Sequence, residues 1–375
     1  MKIEIEHELA RQLVEAKYRL NGLPEHGMTW EQKQINHLMA VAPENWVGIA
    51  LKRLKPAYAG NPNAELRAEV VTLYHKISKR GIAIDRKELA RLIEEYTEKL
   101  RQDPFSEKLY KTLDWLKRVK VGADGKLRTE LKPYHSITGR TGLMGTTPVN
   151  GFKVFRQALI SAPKDNTTLS VDYTACEAGI LAALSGDPKL KDDYANSDDL
   201  YETIANHLRN QGEEQLERKQ AKTLFLTSIY GAKPNTIALK LKLSETDTER
   251  LQKQVMDYYT VAFTWLQERT IESYRSKLIT SDSWQIHVSP DVRPTQIRNW
   301  PIQMMGMEII NSACLQADQK MLKVVGVVHD CIYIECRNEN VEEETAALQK
   351  AMTQASRQQL DGFVLKTSVD FTTHC

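Results

Sequence analysis

The sequence predicts a helix-rich α+β fold, and three observations predict it. A long region, residues 201–280, spaces its apolar residues three and four apart, the period of helices with one buried face. Two short apolar passages, 168–173 and 323–336, read instead as strands. The 375 residues are 41% hydrophobic and 27% charged, an ordinary balance for a globular chain with room for two or three packed units. That balance excludes a disordered or collagen-like chain. The five cysteines form no Cys-x-x-Cys pair, so neither a disulfide framework nor a zinc site is expected. No apolar run approaches the ~18 residues of a membrane span. The acidic start lacks the apolar stretch of a signal peptide, so a soluble, cytoplasmic protein is the expectation.

Along the chain, helices are expected at 5–20, 29–39, 46–55 and 64–79, the last stopped by Gly81. Asp85 caps a further helix over 86–101. Asp124-Gly125 reads as a turn between two short strand-like stretches. The strand at 168–173 runs into an apolar helix at 178–184, and the helical region 201–280 follows. The second strand passage is a hairpin with His329-Asp330 at its tip. Net charge is only +2, yet residues 108–156 hold eleven Lys/Arg against three Asp/Glu. That local excess suits a face tracking a nucleic-acid backbone, as well as an ordinary solvated surface.

Three constellations carry chemistry. Asp172 ends an apolar strand in Asp172-Tyr173-Thr174-Ala175-Cys176-Glu177, where it is either a helix N-cap or a carboxylate displayed on a sheet rim. Asp330 stands at a hairpin tip, a place that ordinarily uses Asn-Gly or another Gly pair. Two carboxylates at strand ends suit Mg²⁺, which takes hard oxygen ligands and keeps water and phosphate as the others. The third is Arg218, Lys222, Leu226 and Tyr230, spaced by four on one helix, each step climbing ~6 Å. The order cation, cation, apolar, aromatic matches a nucleoside triphosphate laid along the helix; an amphipathic helix with a basic end gives the same stripe.

In this order the segments resemble the polymerase domain of family A DNA polymerases, the bacterial DNA polymerase I group. Asp172–Glu177 resembles that family's first motif, Arg218 to Gly231 its second, and Val328-His329-Asp330 its third. Thr138-Gly139-Arg140, Arg156-Gln157, Asp199-Leu200-Tyr201 and Asn299-Trp300-Pro301-Ile302-Gln303 fit its supporting segments, and the likeness covers about residues 75–375. The resemblance implies a right hand with an antiparallel palm sheet and helical fingers. Residues 134–180 and 291–375 would be palm and 181–290 fingers; 81–133 would be a reduced thumb and 1–80 a helical region of unknown role.

It also implies template-directed DNA synthesis from deoxynucleoside triphosphates on primer–template DNA, with two Mg²⁺ ions, or Mn²⁺ as a substitute. Asp172, Asp330 and the Tyr173 carbonyl would hold metal. Arg218, Lys222, Leu226, Tyr230, Glu177 and Tyr201 would bind the nucleotide, with Lys222 a proton donor to the leaving pyrophosphate. Arg140, Arg156, Asn299, Gln303, His329 and Gly231 would contact DNA. A monomer without membrane contact is expected, with residues 1–80 either structural support or a dock for a replication accessory protein.

The departures matter. Glu177 is the family's Glu, whose bulk excludes a ribose 2′-hydroxyl, yet Leu226-Thr227 looks more like the Met-Thr of single-subunit RNA polymerases. An RNA-synthesising or primer-making enzyme is the alternative, and a DNA-end-binding relic the non-enzymatic one. Cys331 replaces the Glu usual after the third-motif Asp, and Tyr201 replaces a His. Asp247-Thr248-Glu249 has the look of an exonuclease motif but falls in a helical region. The family's proofreading exonuclease needs a domain of its own, and Asp85 and Arg140 are only 55 positions apart where a long thumb ordinarily fits, so short tracts without proofreading are expected.

Overall fold

A computed structural model describes residues 62–144, 155, 158–212, 215–280, 285–288 and 291–373. The three helices expected within 5–55, and Arg156 with Gln157, lie outside the described residues.

The chain opens with α1 (Pro62–Arg80), β1 (Ile82–Ala83), α2 (Arg86–Gln102) and α3 (Glu107–Lys117). Short strands β2 (Lys126–Leu127), β3 (Glu130–Lys132) and β4 (Gly142–Met144) precede the long β5 (Asn166–Tyr173). Seven helices follow: α4 (Cys176–Ser185), α5 (Pro188–Asn196), α6 (Leu200–Arg209), α7 (Arg218–Ile229), α8 (Pro234–Leu241), α9 (Glu245–Tyr258) and α10 (Thr260–Ser276). Then come β6 (Leu278–Thr280), β7 (Gln285–His287) and the 26-residue α11 (Pro294–Gln319). The hairpin β8 (Val324–Val328) and β9 (Cys331–Arg337), the helix α12 (Val341–Gln359) and the strand β10 (Thr367–Thr372) complete it. The helix-rich α+β expectation holds.

Two compact units divide these elements. One comprises Thr174–Glu308 and Ser356–Lys366; the other takes the described residues up to Tyr173, Ile309–Ala355 and those from Thr367.

The second unit is built on a four-stranded antiparallel sheet of order β10-β5-β9-β8. Opposed residues share a face, so the pairs Val171↔Ile332 and Leu169↔Ile334 turn one way while Asp172↔Cys331 and Ser170↔Tyr333 turn the other. On the first face Leu169, Val171, Ile332 and Ile334 are almost wholly buried. Tyr173 joins them and donates its hydroxyl to the Met352 carbonyl of α12 at 2.6 Å. The second face is covered by Ile82, Ile84, Leu116, Phe155 and Leu159, packed with Cys331, Tyr333 and Phe371. Gly326 lets this layer close: a Cβ there would meet Ile82 Cδ1 at 2.8 Å. Trp115 stacks on Phe155 with centroids 5.5 Å apart, which draws α3 into the same core. Glu335 is buried on this face and satisfied by Lys126 at 3.1 Å, by Lys323, and by Asn166 at 3.3 Å.

The expected cap is present: Asp85 accepts from the amides of Lys87 and Glu88 at 2.8 and 3.0 Å. One expectation fails in part. The Asp124-Gly125 turn does not join two neighbouring strands; β2 pairs instead with β1, Ile82↔Leu127. Val119 ahead of the turn packs into the core and Lys126 reaches Glu335, so long-range contacts override the local hairpin. The helical region also ends early, because Lys277 turns left-handed (φ 57°) and Leu278–Thr280 pairs with β7.

In the first unit, Leu181, Ile204, Leu208, Leu224, Phe225 and Tyr259 form the centre of the helical packing. Two buried carboxylates pin it. Asp187 caps α5 through the Leu190 amide at 2.8 Å and accepts from the Ala262 amide at 2.9 Å. Asp193 accepts from the Tyr259 hydroxyl at 3.0 Å.

Candidate active site

Asp172 is the penultimate residue of β5, opposite Cys331, the first residue of β9. It is not a helix cap: α4 is capped by Ala175 in the left-handed region (φ 47°, ψ 43°), with no side-chain bond. That removes the helix-cap reading of Asp172. His329 holds φ 54°, the strain expected of a non-glycine hairpin tip, and the Asp330 carbonyl accepts from the Tyr173 amide at 3.2 Å. This bond ties the hairpin tip to the end of β5. It brings together two carboxylates 158 positions apart in the sequence.

Their electrostatics are unusual. Burial pushes the Asp172 carboxyl up to about 7, and the neighbouring Asp330, by charge and by hydrogen bond, then Asp370 push the same way. The Tyr173 amide pulls more weakly in the other direction. Asp172 Oδ1 is buried and has no hydrogen-bond partner. A buried acceptor without a donor, beside a second carboxylate, is stable only with a proton or a cation between them. This donor set fits a hard divalent ion. Among the described residues no group of three or more His, Cys, Asp or Glu side chains is gathered closely enough to hold a metal. An aspartate pair suits Mg²⁺, which keeps water and phosphate oxygens as its other ligands.

Cys331, where the family usually has Glu, is buried among Tyr333, Val328 and Phe371 and belongs to the core. Asp370 was not singled out from the sequence. It falls at the irregularity between Val369 and Phe371 in β10, and no motif marks it. In the same unit Thr138 is buried, Gly139 adopts φ 75°, and the Arg140 amide donates to Ser136 Oγ at 2.9 Å. This tight turn leaves the Arg140 side chain half-exposed.

The other candidates lie in the first unit. The capping box of Glu217 and Gln220 starts α7, which buries Ala221, Leu224, Phe225, Ser228 and Ile229. The opposite stripe is the predicted one: Arg218 and Lys222 are exposed, Leu226 and Tyr230 half-buried. Asp199 joins α6 to α7. Its Oδ1 accepts from the amides of Tyr201 and Glu202 at 2.9 and 3.2 Å, and its Oδ2 from Arg218 Nε at 2.5 Å. Burial raises that carboxyl, but Arg218 and the two amides outweigh it and hold it below the usual range. The Tyr201 ring, 5% exposed, has Lys222 Nζ 5.2 Å and the Arg218 guanidinium carbon 5.6 Å from its centroid.

Glu177 is half-buried in the first turn of α4. Gly231 follows α7 with φ 72°, and a Cβ there would lie 3.1 Å from Arg298 Cδ. Arg298, missed in the sequence, donates Nε to the Ile229 carbonyl at 3.2 Å, where the dipole of α7 favours a cation. Asn299 and Gln303 stand one turn apart on α11, and Asn299 Oδ1 is buried without a partner. Asp247 and Glu249 are exposed on α9, so the apparent exonuclease motif is a solvated helix face.

DNA polymerase I of Aquifex aeolicus is 25% identical over 281 residues, which cover 67% of this chain and 46% of that protein. The Lactococcus lactis (strain IL1403) DNA polymerase I is 24% identical over 264 residues, 63% of this chain and 30% of that one. The DNA polymerase of Mycobacterium phage D29 is 30% identical over 151 residues, 38% of this chain and 23% of its own. The chain thus spans less than half the length of these curated relatives. The solved POL domain of Pol1 from M. smegmatis shares the fold, with a TM-score of 0.76 at 17% identity, covering 96% of this chain and 80% of that one. The family model for DNA polymerase family A matches residues 64–373, and the chain belongs to that family.

Proposed function

We propose that this chain is a template-directed DNA polymerase that adds deoxynucleotides to a primer 3′ end. The observation that carries the reading is the aspartate pair at the joined tips of β5 and the β8–β9 hairpin, with Asp172 Oδ1 buried and lacking a donor. Asp172, Asp330 and the Tyr173 carbonyl would hold two Mg²⁺ ions, with Mn²⁺ as a substitute. Bound there, the metal supplies a lowered pKa for the primer hydroxyl and charge stabilisation at the transferring phosphate. Arg218 and Lys222 grip the triphosphate, and Lys222 donates a proton to the leaving pyrophosphate. Leu226 and Tyr230 continue the stripe toward sugar and base. Glu177 excludes a 2′-hydroxyl by its bulk.

Arg140, Arg156, Asn299, Gln303, His329 and Gly231 would contact primer–template DNA. The partners follow from the relatives: the mycobacterial domain is described in complex with a DNA primer-template and dNTP. The domain reading assigns palm to 134–180 and 291–375, fingers to 181–290 and a reduced thumb to 81–133. Residues 1–80 serve as structural support or as a dock for an accessory protein. Short tracts without proofreading by these 375 residues are part of the proposal. The short span from Asp85 to Arg140, filled by α2, α3 and three-residue or shorter strands, supports the first; the solvated position of Asp247 and Glu249 supports the second.

Primer extension tests the reading. Wild type extends with dNTPs and Mg²⁺, and Asp172→Asn and Asp330→Asn each stop extension while still binding primer–template. Extension by either variant at the wild-type rate overturns it. Leu226-Thr227 favours a second reading, RNA synthesis, and a preference for rNTPs over dNTPs in the same assay would establish that instead. A trap experiment yielding hundreds of additions per encounter would refute the short-tract proposal.

A further inference from the structure

We propose that Tyr201 and Asp199 are positioning residues for the two triphosphate-gripping cations of α7, the ring of Tyr201 holding Lys222 and Arg218 and the carboxylate of Asp199 orienting the Arg218 fork. The inference rests on the nucleotide-binding reading of α7 and adds how its cations are held ready.

Lys222 is exposed and has no carboxylate partner among the described residues. A free lysine on an exposed stripe samples many rotamers, and fixing it on binding costs entropy. A carboxylate would hold it but would also neutralise it and compete with phosphate. An aromatic face attracts the ammonium without cancelling its charge. Tyr201 supplies that face, with Lys222 Nζ 5.2 Å from its centroid. The ring is only 5% exposed, so it acts on a ligand through the cations above it.

Arg218 is held differently. Asp199 takes its Nε, leaving the two Nη groups for the bidentate contact a phosphate prefers. The other oxygen of Asp199 is occupied by the Tyr201 and Glu202 amides. Those amides draw off part of its negative charge, so the ion pair orients the guanidinium while leaving it attractive to an anion. The same carboxylate caps α6, the helix that carries Tyr201, so one group sets the position of both the ring and the fork.

The test is single-nucleotide incorporation by the full chain on primer–template, with KM for dNTP and kcat measured separately. Tyr201→Leu raises KM about five- to tenfold, with a smaller change in kcat, and Tyr201→Phe rescues KM. Phenylalanine and its mono-, di- and trifluoro analogues at position 201 keep the shape while draining the ring face of charge. KM rises stepwise along that series, which a purely structural ring would not produce. Asp199→Asn retains a good N-cap but loses the ion pair, and raises KM for dNTP. Lys222→Ala and Arg218→Ala serve as the reference. If they raise KM while the fluorinated series is flat, the role of Tyr201 is wrong and the reading of α7 stands. If they leave KM unchanged, the reading of α7 falls and this inference with it.

Discussion

Replacing Asp172 with Asn should make the metal-free protein more stable at neutral and alkaline pH while ending extension. In the folded chain the Asp172 carboxyl is raised from 3.8 to about 7, by burial first and then by Asp330 and Asp370. The sign follows from linkage. A raised acid contributes its full share of stability below the unfolded value and loses it as pH rises through the folded one. The loss therefore runs from about pH 4 to pH 7 and is complete above it. At about 1.36 kcal/mol per pH unit the ceiling is about 4 kcal/mol. The side chain is partly reached by water, so about 1–3 kcal/mol is expected. Asn keeps the shape, removes the charge and can donate to Asp330. Urea unfolding followed by circular dichroism, in EDTA, should show the variant gaining on wild type between pH 5 and pH 8. Millimolar Mg²⁺ should stabilise wild type at pH 8 and leave the variant unmoved, because a cation performs the work of the lost proton. A variant less stable than wild type at pH 8 in EDTA would refute the electrostatic account. So would equal stabilisation of both proteins by Mg²⁺.

Glu335→Gln leaves Lys126 and Lys323 without their buried carboxylate and should cost about 2 kcal/mol at pH 7, read by the same unfolding assay. Burial raises the Glu335 carboxyl, but Lys323 and Lys126 outweigh it and hold it below the usual carboxylate range. Its contribution is present at neutral pH and is lost as acid protonates the carboxyl, so the deficit of the variant should shrink on acidification. Gly326→Ala drives a Cβ to 2.8 Å from Ile82 Cδ1 and should destabilise by about 1–3 kcal/mol. Adding Ile82→Val, which removes that methyl, should recover part of the loss, and no recovery would place the strain elsewhere. Glu177→Ala should raise rNTP incorporation relative to dNTP; an unchanged ratio would remove Glu177 as the sugar gate.

Much of this protein was determined by local sequence. The period of three and four across 201–280 marks the helices, because each must bury one face, and α7 emerges with Arg218 and Lys222 exposed and Leu226 and Tyr230 half-buried. Asp85 caps α2 as its position before a helical run requires. Asp172 and Asp330 stand out at strand ends without any coordinates. Tertiary structure decided what depends on distant partners. The α3 helix went unread, although it reaches the core through Trp115 and Phe155. Strand β2 pairs with β1 rather than with its neighbour, because register follows buried contacts more than turn chemistry. Cys331 became core, Asp370 came to bear on Asp172, and Tyr201 came to lie beside two cations from another helix. A residue type and its spacing tell which chemistry a chain carries. The raised carboxyl of Asp172 arises only when burial and neighbouring charges from remote segments act on the same atoms.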